Sequence, residues 1–420
     1  MNKKSFGKLF IIALLFCCSF VTQGSEKPDS LLLLKQLNSS AIPISLDSAV
    51  NNEQFSFLNK SIKESRIVGL GEATHGTHEF MKGHTEIMKY LISNMNFKVI
   101  VFESGYGGTD LLNKYITGEN VSINKAIYNI GFLNFMNYDI LSFIKWLKEY
   151  NTNKTRDEQV KVYGCDSQFV RYVVDDLLKF LQQHQSLSSE LKSRLIDLRD
   201  KLSETSKKEK LKTLKLLQSS FNPLIANEEI KQRMEIVIQC IDVATSSTLG
   251  SLLKRDRYMA QNCDWLFNAN NQRKMVIYAH NMHIAKATDN SMKKLMGQYI
   301  SQLHPDFFVI GTGFSQGSVG TKRKNYTPAF YKEAINNSYD FFFAKCQYPS
   351  YFLDFSLINN TELKTFVSTK SLSRNTGGTL YEDIATNEKL NYRKHVLDKS
   401  YDALLFFKES SPTQKMSVFD

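Results

Sequence analysis

Five short apolar runs decide what this chain can become: "RIVGLG" (66–71), "KVIVFES" (98–104), "VKVYGCD" (160–166), "KMVIYAHN" (274–281) and "FFVIGTG" (307–313). Runs of this length, nearly continuous and rich in Val and Ile, have the character of strands covered on both faces. Helical patterns separate them. Phe80, Ile87, Met88 and Leu91 fall on one side of a helix after the first run, and Leu141, Ile144, Trp146 and Leu147 mark another before the third. Strands that alternate with helices predict an α/β fold, with a mostly parallel central sheet flanked by helices.

The spacing of the runs also divides the chain. Residues 169–270 almost lack glycine and proline and repeat helical patterns such as "VVDDLLKFLQQHQ" and "LKTLKLLQSSF". They read as an all-helical insert or lid between two parts of one α/β core, 25–168 and 271–420. Beyond residue 315, "YDFFFAKC", "SYFLDFSLI" and "YDALLFFKE" are expected to add C-terminal strands. With 420 residues, 42% of them hydrophobic, the chain can bury a large core, so disorder is excluded.

Lys3, Lys4 and Lys8 precede the apolar run "LFIIALLFCCSFV", so residues 1–24 are expected to be a signal peptide cleaved after Gly24. The run is short for a permanent membrane anchor. A lipid anchor on Cys17 or Cys18 is the competing reading, against which Phe16 stands where a small residue belongs. The expected product is exported and periplasmic, without stable membrane insertion. Removing the three lysines takes the formal charge from +11 to +8. That charge is spread as lysines among glutamates, as in "KLSETSKKEKLK", with no aromatic-interleaved basic motif, so no nucleic-acid partner is expected. The four remaining cysteines, Cys165, Cys240, Cys263 and Cys346, form no C-x-x-C pair. They are read as buried thiols or as disulfides of undefined pairing.

Polar residues crowd the ends of these runs. Glu72 and His75 follow the first, Glu103 ends the second, Asp166 and Gln168 the third, and His280, Asn281 and His283 the fourth. In a parallel sheet the carboxyl ends share one edge, which is where open α/β folds bind ligands. A histidine there can take a proton near neutrality while a neighbouring carboxylate fixes its tautomer. No serine occupies a G-x-S-x-G turn, so base-activated water is favoured over a covalent acyl-enzyme. Metal ligation competes, because "HNMH" sets His280 and His283 three apart and Glu72, His75 and Glu103 are available to complete a site. Neither H-E-x-x-H nor H-x-x-E-H is present, and no metal or other cofactor is expected.

Five segments in order, "GLGEATHGTHEF", "VFESGYG", "VYGCDSQ", "RDRYMAQN" (255–262) and "YAHNMH", resemble the motifs of the erythromycin esterase family, enzymes that hydrolyse macrolide lactones. Weaker similarity at "AIPIS", "SYFLDF" and "YDALLFF" extends the resemblance along the chain. It implies that His75 is the general base, that Glu72 and Glu103 are the carboxylates grouped with it, and that His280 and His283 assist. Asp166, Gln168, Arg255, Asn281, His78 and His84 are implied as substrate-binding or supporting residues. His84 stands where many relatives carry Arg or Lys, and the alternative is that it packs beside Phe80 and Ile87. The implied partners are a small-molecule macrolide and water. Two other readings stay open: a hydrolase of another ester in envelope or polysaccharide metabolism, with or without a metal, and a periplasmic ligand-binding or metal-binding protein.

Overall fold

The structure is a computed structural model that describes residues 30–47, 52–221, 226–287, 294–320, 327–376 and 388–416. The expected signal peptide, 1–24, lies outside the described residues. Among the described residues no helix is long and apolar enough to cross a membrane.

Eleven strands are present among them: β1 (Ile42–Pro43), β2 (Ile67–Glu72), β3 (Val99–Gly105), β4 (Lys161–Asp166), β5 (Met275–His280), β6 (Phe308–Val319), β7 (Ala329–Tyr331), β8 (Ser350–Asp354), β9 (Ser371–Arg374), β10 (Tyr392–His395) and β11 (Ala403–Ser410). Nine build one sheet in the order β1-β8-β11-β6-β2-β5-β3-β4, with β7 beside β6. From β11 to β4 the neighbours are parallel, whereas β8, β1 and β7 are antiparallel additions. All five apolar runs are parallel strands of this sheet, which is the predicted α/β fold.

Alternation along the strands explains why the runs look continuous. Val99, Val101, Met275 and Ile277 enter one hydrophobic cluster, while Ile100, Phe102, Val276 and Tyr278 enter a second on the opposite face. The second cluster also takes Phe80, Ile87, Met88 and Leu91 from the helix His78–Asn94, and Ile144 and Leu147 from Tyr138–Asn151. Between β4 and β5 five helices run from Arg171 to Ala269, and they bury Val173, Leu177, Val237 and Met259 in the first cluster, continuous with the sheet. This surface shared with the sheet holds Arg255 over the strand ends.

The C-terminal region differs from expectation at one place. Residues 339–346 were expected as a strand, but Tyr339–Phe343 is helical. Ser338 caps it by accepting the Phe341 N–H at 3.1 Å, and Tyr339 and Phe343, one turn apart, stack and are buried. A run of consecutive aromatics satisfies either period, so only the cap and the packing choose. "SYFLDF" and "YDALLFF" do form strands, β8 and β11.

Candidate active site

β2 ends at Glu72, and the chain turns through Ala73–Thr77 before the helix that starts at His78. Gly76 permits the turn: its φ is +83°, and a Cβ there would lie 2.6 Å from the Gly320 carbonyl oxygen. One Glu72 oxygen accepts the Tyr278 hydroxyl at 2.7 Å, and the other is bonded to His75 Nδ1. Each neighbour therefore has a definite role. The carboxylate accepts from Nδ1–H, so the neutral imidazole presents its basic lone pair at Nε2. The Glu72 side chain is 2% exposed and that of His75 21%, so His75 is the member of the pair that solvent reaches.

Beside this pair lies a buried charge network. Arg255, on the helix Thr248–Ala269, donates from Nε to both Asp166 oxygens at 3.1 Å and from Nη2 to Asp166 at 2.8 Å and Glu103 at 2.6 Å. His283 holds Asp256 through Nδ1 at 2.7 Å and faces Glu103 through Nε2 at 3.3 Å. Burial by itself lowers the basicity of His283, but Asp256 and Glu103 outweigh it and bring its pKa up to about 10. Arg255 Nη1 also meets His283 Nε2 at 3.1 Å, so Glu103 and Arg255 share that side of the ring while Asp256 holds the other. Burial pushes the Glu103 carboxyl up, and the charges of His283 and Arg255 reverse this and hold it well below the usual carboxylate range. Arg255 is itself raised: Asp166 and Glu103 overcome the burial that disfavours its charge.

His280 joins the two groups. Its backbone N–H donates to Glu103 at 3.0 Å, and its ring centroid lies 5.5 Å from that of His75 and 6.3 Å from that of His283. Both ring nitrogens are engaged by backbone: Nδ1 accepts the Met282 N–H at 3.2 Å, and Nε2 approaches the carbonyls of Ala73 and Thr376 at 3.2 and 3.3 Å. Burial, then the nearby His75 and His283, lowers its pKa to about 4, so it is a neutral hydrogen-bonding strut. Asn281 exchanges two bonds with the Thr312 backbone, at 2.7 and 3.1 Å, and ties β5 to β6.

The other predicted residues are placed differently. Gln168 is exposed, and its backbone N–H, at 3.1 Å, caps Asp166. His78 pairs with Asp139 at 2.8 Å, a bond that raises its pKa, and its side chain is 42% exposed. His84 is fully buried beneath the site: Nε2 meets the Thr312 hydroxyl at 3.0 Å, the ring lies 5.1 Å from Tyr278, and burial lowers its pKa to about 3. Packing against the sheet is thus what the structure gives His84, and a neutral imidazole in that place supports Tyr278 from below.

Two neighbours, Asp256 and Tyr278, were absent from the sequence-derived set although both lie inside quoted motifs, "RDRYMAQN" and "YAHNMH". The available signal was position: Asp256 adjoins Arg255, and Tyr278 lies two residues before His280 in β5, on the same face of the strand by its period of two. Thr376, from the segment after β9, carried no motif. Its N–H donates to the Ala73 carbonyl at 3.1 Å, closing the wall behind His280. Cys165, although it adjoins Asp166, is buried in the core, and all four described cysteines are unpaired and buried. Among the described residues no group of three or more His, Cys, Asp or Glu side chains is arranged to hold a metal ion.

The family model for erythromycin esterase matches residues 92–410. The chain belongs to the erythromycin esterase family. The matched span contains Glu103, Asp166, Arg255, His280 and His283 and begins downstream of Glu72 and His75. Among curated proteins, the putative hydrolase YbfO of Bacillus subtilis is 23% identical over 362 residues, covering 73% of this chain and 78% of the relative. Erythromycin esterase type II of Escherichia coli is 24% identical over 350 residues, covering 71% of this chain and 79% of the relative. The solved structure of a mutant erythromycin esterase in its open conformation superposes with a TM-score of 0.65 at 16% identity, over 89% of this chain and 98% of that one. The structural likeness is one of fold; family membership supports hydrolase activity.

Proposed function

We propose that this protein opens the lactone ester of macrolide antibiotics with water activated by His75, conferring macrolide resistance from a periplasmic location. The observation that carries the reading is the Glu72 carboxylate seated on Nδ1 of the partly exposed His75. His75 Nε2 takes a proton from water as the water oxygen adds to the lactone carbonyl, and Glu72 stabilises the imidazolium so formed. Arg255 and His283 hold the Glu103 carboxylate ionised and fixed beside the reacting groups. When the tetrahedral species collapses, the imidazolium returns its proton to the leaving alkoxide, giving a hydroxy acid with no covalent intermediate. The sheet edge beneath the helices 171–269 is the proposed place for the macrolide ring.

Incubating the mature protein with a fourteen-membered macrolide should give a product heavier by one water. An unchanged mass across several pH values removes the macrolide assignment. Activity lost on dialysis against a chelator and restored by zinc or manganese would replace the mechanism with a metal-dependent one.

A further inference from the structure

After β11 the chain crosses the turn that follows β2. The Ser411 carbonyl accepts the His78 N–H at 2.9 Å, and Ser411 donates its own N–H and hydroxyl to the two Glu79 oxygens at 2.7 and 2.6 Å. Pro412 then pairs antiparallel with Thr77, and the Thr413 N–H donates to the Gly76 carbonyl at 3.0 Å, a carbonyl that Gly320 also reaches at 2.8 Å. Beyond this, the Gln414 carbonyl accepts the Tyr138 N–H at 3.0 Å, and Met416 donates to the Met136 carbonyl at 3.1 Å. Residues 411–416 therefore form a strap from the His75 turn to the start of the helix Tyr138–Asn151.

The chemistry of Glu79 gives the strap a purpose. A carboxylate in the first turn of a helix ordinarily serves that helix's own N–H groups and dipole. Here both oxygens are committed to one distant serine, 332 positions along the chain, through charge-assisted bonds. Four consecutive residues after His75, Gly76 to Glu79, are each held by the strap. On its other side the turn is held at Ala73 by Thr376 and His280. His75 stands between these two anchorages on a turn whose glycine is in the left-handed region. Both halves of the clasp, Glu79 and Ser411, lie outside residues 92–410 that match the family model.

We infer that Glu79 and Ser411 are positioning residues that set the place of the His75 imidazole through the strap. The inference rests on the reading of His75 as the base, and it makes a statement about the His75 ring that is measurable without turnover. Misplacing a catalytic group by about 1 Å costs on the order of a hundredfold in rate.

The test uses the full chain with Glu79→Ala, Ser411→Ala and Ser411→Thr, labelled at histidine for NMR, the His75 resonance being assigned with His75→Asn. Hydrolysis of a fourteen-membered macrolide and the thermal midpoint are followed in parallel. Ser411→Ala and Glu79→Ala should lower kcat by roughly 10-fold to 100-fold with KM within about twofold, and should displace the His75 titration midpoint. Ser411→Thr, which keeps the hydroxyl, should restore both. Unchanged kcat and His75 titration in variants that melt like the parent overturn the inference. So does a fall in kcat that tracks the thermal midpoint and is not rescued by threonine. If the parent does not hydrolyse the macrolide, the catalytic reading fails, and the titration alone decides: a displaced midpoint upholds the positioning role and an undisplaced one ends it.

Discussion

Two histidines end up on the same sheet edge with opposite properties. His75 sits on a turn, holds one carboxylate through Nδ1 and reaches solvent. His283 is nearly enclosed, meets Asp256 through Nδ1 and Glu103 through Nε2, and shares Glu103 with Arg255. A proton carrier must exchange its proton, so it needs one nitrogen within reach of water and substrate. A fixed charge needs the reverse: enough partners that its proton never leaves in the working range. The residue types are identical, and the number of carboxylates and the depth of burial separate their surroundings. His280, between them, shows a third outcome, because backbone groups and burial keep it neutral.

This contrast can be broken most sharply at His75. His75→Asn preserves size and the Nδ1-side hydrogen bond but removes the base, and hydrolysis should fall by about 10²- to 10⁴-fold in kcat with KM little changed. Loss of activity through KM alone would show that His75 binds and does not transfer protons. The next effect belongs to the buried network. Arg255→Met leaves Glu103 and Asp166 buried without their shared cation, and removing one partner of such a group costs about 3–5 kcal/mol, to be read as a lower urea midpoint. A midpoint within experimental scatter of the parent would mean that water reaches these carboxylates and the enclosure described above is wrong.

His283 sharpens the comparison through pH. Its folded-state pKa, about 10, lies above the unfolded value near 6.5, so the stability it contributes is fully present below about pH 6.5 and is lost as pH rises through 10. His283→Gln should flatten that alkaline limb in urea titrations from pH 6.5 to 10, whereas His75→Asn should leave it in place. An unaltered limb in His283→Gln would assign the alkaline loss elsewhere. The smallest effect is expected at His78, whose exposed ion pair with Asp139 lies outside the cluster. His78→Ala should cost about 1 kcal/mol or less and leave the shape of the pH-rate profile unchanged; a shifted profile would bring His78 into the site after all.

How legible all this was in the amino-acid order varies by element. The five parallel strands were readable because burial on both faces demands uninterrupted apolar residues, as at Val99–Phe102. Residues 339–346 were not readable, since "YDFFF" suits either period until Ser338 caps it. In the site, Glu72, His75, Glu103, Asp166, His280 and His283 could be named from strand-end position, and the structure draws them together. Asp256 and Tyr278 escaped because each matters only through a contact with a residue distant in sequence. Glu79, beside His75 in the chain, spends its charge on Ser411 instead of on the cluster.

The order of residues by itself determined the sheet, its carboxyl edge and which charged groups would stand along it, because periodicity and strand-end position are local properties. Only the tertiary structure decided which histidine keeps contact with solvent, which is gathered among carboxylates and which is held by backbone groups. Those properties depend on how many carboxylates and backbone groups surround each ring, and on how much water the fold leaves there, and both are set by segments tens to hundreds of residues away.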